Sequence, residues 1–98
     1  MQVDTSIAHI TPAGGNVFED LGFEPREAAK LKIKAELMSR LGEWIKAQHL
    51  TQADAARLLQ VTRPRVSDLM RGKLGKFSID ALVDMLERTG KHVTVRVA

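Results

Sequence analysis

Residues 50–73 read LTQADAARLLQVTRPRVSDLMRGK, and this stretch predicts two short helices joined by a tight turn. Thr51 and Thr62 each precede a helically spaced run, where a hydroxyl can cap the free N–H groups of a helix start. Val61 falls between the two runs and can close the joint between the helices. Gly72 follows the second run, and glycine is the commonest residue just past a helix end. The stretch therefore predicts a helical hairpin with defined ends.

The apolar residues of both predicted helices follow the i, i+3, i+4 spacing that places side chains on one helix face. Each helix can therefore turn one face to a core and the other to solvent. These apolar residues are Ala55, Leu58 and Leu59 in the first helix, and Val66, Leu69 and Met70 in the second.

The second predicted helix leaves polar and charged side chains off its apolar face, with Arg63 at its start. In a helix-turn-helix, the start of the second helix faces base edges in the DNA major groove. Arginine suits guanine because its planar fork can donate to O6 and N7 together. The alternative interpretation is a solvated helical hairpin whose arginines are ordinary surface residues.

Residues 50–73 resemble the helix-turn-helix of the XRE class, to which phage repressors and Cro belong. Residues 17–23 (VFEDLGF), residues 90–97 (GKHVTVRV) and the junction Gly72-Lys73-Leu74 are similar to the HigA-like antitoxin branch of that class. The resemblance covers residues 17–97, and Arg63 stands where glutamine is commoner in the class. The matching positions are Leu50-Thr51-Gln52, Ala55-Ala56, Thr62-x-Pro64-x-Val66-Ser67-x-Leu69 and Arg71-Gly72.

This resemblance implies an antitoxin that neutralises a basic, RelE-like ribonuclease toxin and represses the promoter that the pair shares. Two other functions stay open. One is a solitary XRE-family transcriptional regulator with no toxin partner, and the other is a protein-interaction module that no longer binds DNA. The basic residues Arg63, Arg65, Arg71, Lys73 and Lys76 argue against the interaction module. A small basic protein encoded next to this chain would favour the antitoxin.

The expected DNA contacts divide into base readers and phosphate contacts. An aspartate can accept a hydrogen bond from cytosine N4, although Asp68 can instead pair with Arg65 or Arg71 on the helix surface. The residues predicted to read bases are Arg63, Pro64, Ser67 and Asp68. The residues predicted to contact phosphate are Gln52, Thr62, Arg65, Lys73 and Lys76.

The composition limits the class of protein. With 98 residues the chain has room for one small domain, and it has no cysteine for a disulfide framework or a zinc finger. No apolar run is long enough to span a bilayer, and no signal-peptide pattern is present, so we expect a soluble cytoplasmic protein with no membrane partner. The aromatic residues are Trp44 and three phenylalanines, which disfavours nucleic-acid binding by base stacking.

Charge divides the chain into an acidic arm, residues 1–24, and a basic domain for DNA binding and dimerisation, residues 25–98. The arm has four acidic and no basic residues, a net charge of −4, whereas the domain has 15 basic and 8 acidic residues, a net charge of +7. The domain suits phosphate, and the arm suits a basic protein surface. The arm can equally be a solvated tail or pack on its own domain. Its predicted toxin-binding residues are Val17, Phe18, Leu21 and Phe23.

Helices are also predicted on both sides of the hairpin. Asn16 can cap one helical turn, and Pro25 opens the longest helix because proline fits the first turn. Gly42 weakens that helix at a point where another helix can cross closely. Ser78 caps a last helix, which Gly90 ends. The predicted fold is all-α: a compact orthogonal helical bundle with a lambda-repressor-like helix-turn-helix and a short C-terminal β-strand. The apolar faces comprise Leu37, Leu41, Trp44 and Ile45, and Ile79, Leu82, Val83 and Leu86.

That strand is predicted because residues 92–97 (HVTVRV) alternate with a period of two and are rich in β-branched residues. A strand needs a ladder partner for its backbone groups. The partner is either residues 3–7 of the same chain or the same strand of a second copy, and the second arrangement gives a two-fold homodimer. In that homodimer, Val93, Val95 and Val97 are predicted to seal the interface.

No catalytic constellation is found in the sequence. His9, His49 and His92 are scattered, with no spacing that would make two of them ligands of one metal ion. A basic ribonuclease is the best enzymatic alternative by charge, but it would need a His, Glu or Tyr constellation, and tyrosine is absent. We therefore expect no enzymatic activity, no cofactor and no metal.

Overall fold

In the computed structural model, which describes residues 16–98, the chain is helical apart from its connections and its C-terminal tail. Across these residues, no helix is both long and apolar enough to cross a membrane. The predicted all-helical bundle is thus confirmed for the described part of the chain. The elements are α1 (Val17–Asp20), α2 (Pro25–Ala47), α3 (Gln52–Leu59), α4 (Arg63–Met70), a 3₁₀ turn (Leu74–Lys76) and α5 (Ile79–Glu87).

Side-chain caps fix the starts of α3, α4 and α5, as the sequence predicts. Each capping hydroxyl accepts a hydrogen bond from the backbone N–H three residues later, at 3.1 Å for Thr51, 3.4 Å for Thr62 and 3.1 Å for Ser78. Each cap satisfies a donor that has no partner within the helix, and losing such a cap costs about 1 kcal/mol. The caps therefore determine where both hairpin helices begin.

The core lies between α2 and the other helices, with α2 packed mainly along α5 and α3 packed on α4. The close crossing predicted at Gly42 is not required by the packing, because a Cβ atom built there would lie 3.9 Å from Met70 Sδ of α4. That is an ordinary van der Waals distance, so the crossing leaves room for a methyl group. The buried residues include Leu37, Met38, Leu41 and Ile45 of α2, Ala55, Ala56 and Leu59 of α3, Val66 and Leu69 of α4, Phe77, and Leu82, Met85 and Leu86 of α5.

One residue that was expected in the core lies on the surface. Leu58 is 48% exposed, whereas Ala56, two residues earlier, is buried. Helix α3 has eight residues and buries Ala55, Ala56 and Leu59. At about 100° per residue, these three side chains share one face, and Leu58 lies off that face. The i, i+3, i+4 pattern therefore placed Ala55 and Leu59 correctly and selected Leu58 where the core takes Ala56.

The predicted C-terminal strand does not form within the described residues, where only His92 has β-bridge geometry. The end of α5 holds the start of the tail instead: Val93 N–H donates to Glu87 Oε2 at 2.9 Å, and His92 Nδ1 lies 3.2 Å from Glu87 Oε1. Val93 is partly buried against the core, whereas Val95 and Val97 are 68% and 80% exposed. A strand needs a ladder partner, and alternating β-branched residues do not supply one. Residues 3–7, one predicted partner, lie outside the described range.

Candidate functional site

The turn between α3 and α4 sets the orientation of α4, the second helix of the hairpin. Gln60 ends α3 in the left-handed conformation, with φ of 57°, and Val61 N–H then donates to Ala56 O at 3.0 Å. Val61 is partly buried against the core, as its predicted place in the joint requires. The Thr62 cap follows directly, so α4 begins at Arg63, with Pro64 in the first turn, where its missing N–H costs nothing.

Helix α4 presents the predicted base readers on its outer side. Arg63 and Pro64 are exposed at its first turn, and Ser67 and Asp68 are partly exposed one turn later. Residues four apart lie above one another on a helix, so Arg63 is in line with Ser67, and Pro64 with Asp68. The opposite face buries Val66 and Leu69 in the core. The front of α4 is therefore open to a partner while its back is fixed.

Asp68 pairs with Lys73, rather than with Arg65 or Arg71 as the sequence had left open. Its Oδ1 lies 3.5 Å from Lys73 Nζ. The contact follows from how α4 ends: Gly72 has a φ of 70°, Gly72 N–H donates to Leu69 O at 3.0 Å, and Lys73 N–H donates to Asp68 O at 3.1 Å. This is the Schellman arrangement of a helix C-terminus. It brings the Lys73 side chain to the carboxylate, so a predicted phosphate contact and a predicted base reader form one ion pair.

Arg65 is also engaged within the chain. Its guanidinium carbon lies 4.2 Å from the centre of the Phe77 ring, and its Nη1 donates to Lys76 O. Phe77 is buried, and its contact with Arg65 is one that the sequence did not predict. A signal was present, because Phe77 directly precedes the Ser78 cap and Leu82 is the fourth residue of α5. That spacing is the hydrophobic staple, which packs the residue before a cap onto the helix.

The other predicted phosphate contacts lie at exposed positions around α4. Gln52 is the first residue of α3, and Thr62 precedes α4, so both stand at helix N-termini with their positive partial charge. Lys76 is exposed at the end of the 3₁₀ turn. The first turn of α4 contains no acidic residue. The surface built from these elements is basic and suited to phosphate.

A second surface lies at the start of the described chain, on α1. Asn16 caps this turn, accepting from Phe18 N–H at 2.9 Å, and its Nδ2 donates to Ala28 O at 2.9 Å, which ties α1 to α2. The ring centres of Phe18 and Phe23 lie 6.3 Å apart, edge to face. The predicted toxin-binding residues Val17, Leu21 and Phe23 are 61%, 69% and 48% exposed, and Phe18 is partly buried.

The histidines and carboxylates do not gather into a metal site within residues 16–98, where no group of three or more potential ligands is found. His49 is exposed at the end of α2, and His92 lies beside Glu87. His9 lies outside the described residues. The candidate sites of the described chain are therefore the two surfaces, one basic and one acidic and apolar.

Comparison with known protein families identifies the domain. The profile of a helix-turn-helix domain matches residues 17–98, most of the chain. The chain belongs to this helix-turn-helix domain family. Membership indicates a sequence-specific DNA-binding regulator, with α3 and α4 as its helix-turn-helix. A search of curated proteins finds no sequence that matches the chain.

Proposed function

We propose that this chain is an XRE-class repressor of the HigA-like branch, an antitoxin that binds its own promoter and a ribonuclease toxin. The observation that carries the DNA-binding part is the orientation of α4. Its first turn exposes Arg63 and Pro64, and the core fixes its back through Val66 and Leu69. A rigid helix with a basic, open start is what major-groove reading requires.

The proposed division of labour follows exposure and charge. Arg63 reads a guanine, and Pro64, Ser67 and Asp68 line the groove beside it. Gln52, Thr62, Lys73 and Lys76 contact phosphate from helix starts and from the loop after α4. The ion pair between Asp68 and Lys73 would then break on DNA binding. Asp68 would accept a hydrogen bond from a base, and Lys73 would be free to contact a phosphate.

The proposed binding unit is a homodimer on an inverted repeat, with half-sites about one helical turn apart, ~34 Å centre to centre. The support is the tail: Val95 and Val97 are exposed on a β-branched segment whose start is held against α5 by Glu87. Pairing two such tails would bury these valines and complete both backbones.

The experiment that tests the DNA-binding proposal uses the segment immediately upstream of the protein's own coding sequence. Arg63→Ala is expected to weaken binding to that segment by about 1–3 kcal/mol and to leave binding to arbitrary sequence much less affected. Arg26→Ala is the matched control, because Arg26 is an exposed arginine on the first turn of α2, paired with Glu24. Equal loss on both DNAs for Arg63→Ala would mean that α4 does not read the bases.

The antitoxin part of the proposal depends on the α1 surface. Glu19, Asp20 and Glu24 lie beside the exposed Val17, Leu21 and Phe23, which gives acidic charge around an apolar patch. A toxin that cleaves RNA presents a basic surface to its substrate, so acidic residues would steer the approach and the apolar side chains would supply most of the bound-state energy.

Deleting residues 1–24 is expected to abolish neutralisation of a co-expressed toxin, while operator affinity stays equal or rises because negative charge is removed. The second candidate function is a solitary regulator, and the observation that favours it is the Asn16–Ala28 hydrogen bond, which makes α1 part of the protein's own domain. The protein encoded beside this chain, purified and tested for binding, separates the two candidates.

A further inference from the structure

The loop after α4 is tied back to α4 at both of its ends. We call residues 71–77 the basic loop, because it contains Arg71, Lys73 and Lys76. Near its start, Lys73 pairs with Asp68 at 3.5 Å. Near its end, the Phe77 ring and the Lys76 carbonyl both contact the guanidinium of Arg65. The basic loop is therefore clamped along the side of the helix that reads DNA.

We propose that Arg65 is a positioning residue, which holds the basic loop on α4 so that Lys73 and Lys76 meet phosphates at a fixed spacing from Arg63. The inference rests on the DNA-binding function proposed above. It gives Arg65 a role different from the direct phosphate contact that the sequence predicted.

The contacts of Arg65 are those of an internal clamp. A distance of 4.2 Å between the guanidinium carbon and the ring centre is well inside the range of cation–π attraction. Phe77 is 2% exposed and belongs to the core, so the ring is a fixed platform. The Lys76 carbonyl accepts from a charged donor, and such hydrogen bonds are stronger than neutral ones. A planar fork can stack and donate at once, which a lysine ammonium cannot do.

The place of Arg65 in α4 also needs an explanation. It is the third residue of the helix, in the first turn, where the helix dipole disfavours positive charge. The aromatic face and the carbonyl oxygen both offer negative partial charge that compensates for this position. Arg63 shares the unfavourable turn but is exposed to solvent. Of the two arginines in this turn, Arg65 therefore contacts the protein itself, and Arg63 faces solvent.

The clamp matters because the basic loop contains two glycines. Gly72 has a φ of 70°, and a side chain on Gly75 would meet nothing within 4 Å, so neither residue restrains the loop by packing. Ordering a free loop on DNA would cost conformational entropy. A loop that is already fixed presents its lysines without that cost, which is the benefit of preorganisation.

Amide hydrogen exchange in the free protein tests the clamp directly. Arg65→Ala is expected to speed exchange of residues 73–76 by about tenfold or more, while the amides of α5 keep their protection. Arg71→Ala is the matched control, because it removes a neighbouring exposed arginine without touching Phe77 or Lys76. Unchanged exchange in Arg65→Ala would overturn the proposal, and this measurement needs no DNA and no substitution in the core.

Binding to a short duplex of arbitrary sequence then tests the consequence. Arg65→Ala and Phe77→Leu are each expected to weaken DNA binding about threefold to tenfold. The double variant is expected to bind DNA no less tightly than whichever single variant binds less tightly. Arg65→Lys, which keeps the charge, is expected to bind as poorly as Arg65→Ala. If Arg65 only contacts phosphate, Arg65→Lys binds normally, Phe77→Leu has no effect, and the proposal is overturned.

The clamp and the proposed function can fail separately. If the wild-type protein binds no DNA although the amides of its basic loop are protected, the proposed function is contradicted and the clamp is still supported by hydrogen exchange. A wild-type protein that binds its promoter, with additive effects of Arg65→Ala and Phe77→Leu, would contradict the clamp alone. Melting of each variant checks that Phe77→Leu is folded at the assay temperature.

Discussion

The α1 turn and the α3–α4 hairpin carry the same kinds of local signal and differ in what they bury. Asn16, Thr51 and Thr62 all cap a helix start, and Gly22 and Gly72 both have positive φ just past a helix end. Yet α1 buries none of its residues, whereas α3 and α4 together bury five. Local signals therefore fix where a helix begins and ends, and neighbouring helices decide which side chains are buried.

The largest expected effect separates two adjacent leucines of α3. Leu59→Ala should lower the free energy of unfolding by about 2–5 kcal/mol, because Leu59 is fully buried. Leu58→Ala should change it by about 0.5 kcal/mol or less, because Leu58 is half exposed. Urea denaturation measures both. Similar losses for the two variants would mean that α3 is rotated from the orientation described here.

A smaller effect is expected on the α1 side of the comparison. Leu21→Ala should weaken binding to the proposed toxin by about 2 kcal/mol, as for a leucine side chain buried on binding, and leave the melting temperature of the free protein unchanged because Leu21 is exposed. Phe18→Ala is the informative companion, because Phe18 is partly buried and contacts Phe23. A drop of several degrees in the melting temperature of Phe18→Ala would assign Phe18 to the protein's own domain.

The tail offers a third test, in which assembly and stability should separate. Deleting residues 94–98 removes the exposed Val95 and Val97 and keeps Val93, which packs on the core. The folded monomer should be hardly destabilised, whereas sedimentation of the proposed dimer should shift toward the monomer and operator binding should weaken as bivalency is lost. A fully dimeric truncated protein would place the interface elsewhere, with α5 as the next candidate.

The smallest effect concerns pH. The backbone N–H of Val93, followed by the side chain of His92, lowers the pKa of Glu87 from its ordinary value of 4.5. A carboxyl group whose pKa is lower in the folded state stabilises that state above pH 4.5, and the contribution is lost as pH falls below that value. Wild type and Glu87→Gln should therefore differ slightly in stability at neutral pH and converge in acid, as followed by thermal melting. A difference that persists at low pH would contradict this linkage.

Much of the hairpin could be predicted from the sequence because its signals are local. The caps at Thr51, Thr62 and Ser78, the apolar joint at Val61 and the stop at Gly72 depend on residues within a few positions of each other. The predicted burial of Leu58 was wrong because the orientation of α3 depends on the helices that pack on it. The C-terminal strand is not supported within the described residues, because alternation predicts which faces a strand would have and not whether a ladder partner is present.

The candidate site shows the same limit. That α4 begins at Arg63, with Pro64 in its first turn, follows from the Thr62 cap and was predicted. The engagement of Arg65 with Phe77 joins residues twelve positions apart, and that of Asp68 with Lys73 depends on the left-handed Gly72. Charge alone suggested five similar cations around the hairpin. Their separation into residues that face outward and residues held within the chain needed the path of the loop.

The length of α4 sets how much information one copy can read. Eight residues at about 1.5 Å each span about 12 Å, the length of three to four base pairs. A site of four base pairs recurs by chance about once in every 250 positions, whereas a genome offers about a million or more competing positions. Pairing two copies doubles the site to about eight base pairs and lowers the chance frequency to about one in 65,000, which still leaves about fifteen chance sites in a million positions. A recognition helix of this length can select a single promoter only if the flexibility of the DNA between the half-sites, or adjacent repeated sites, contributes further specificity.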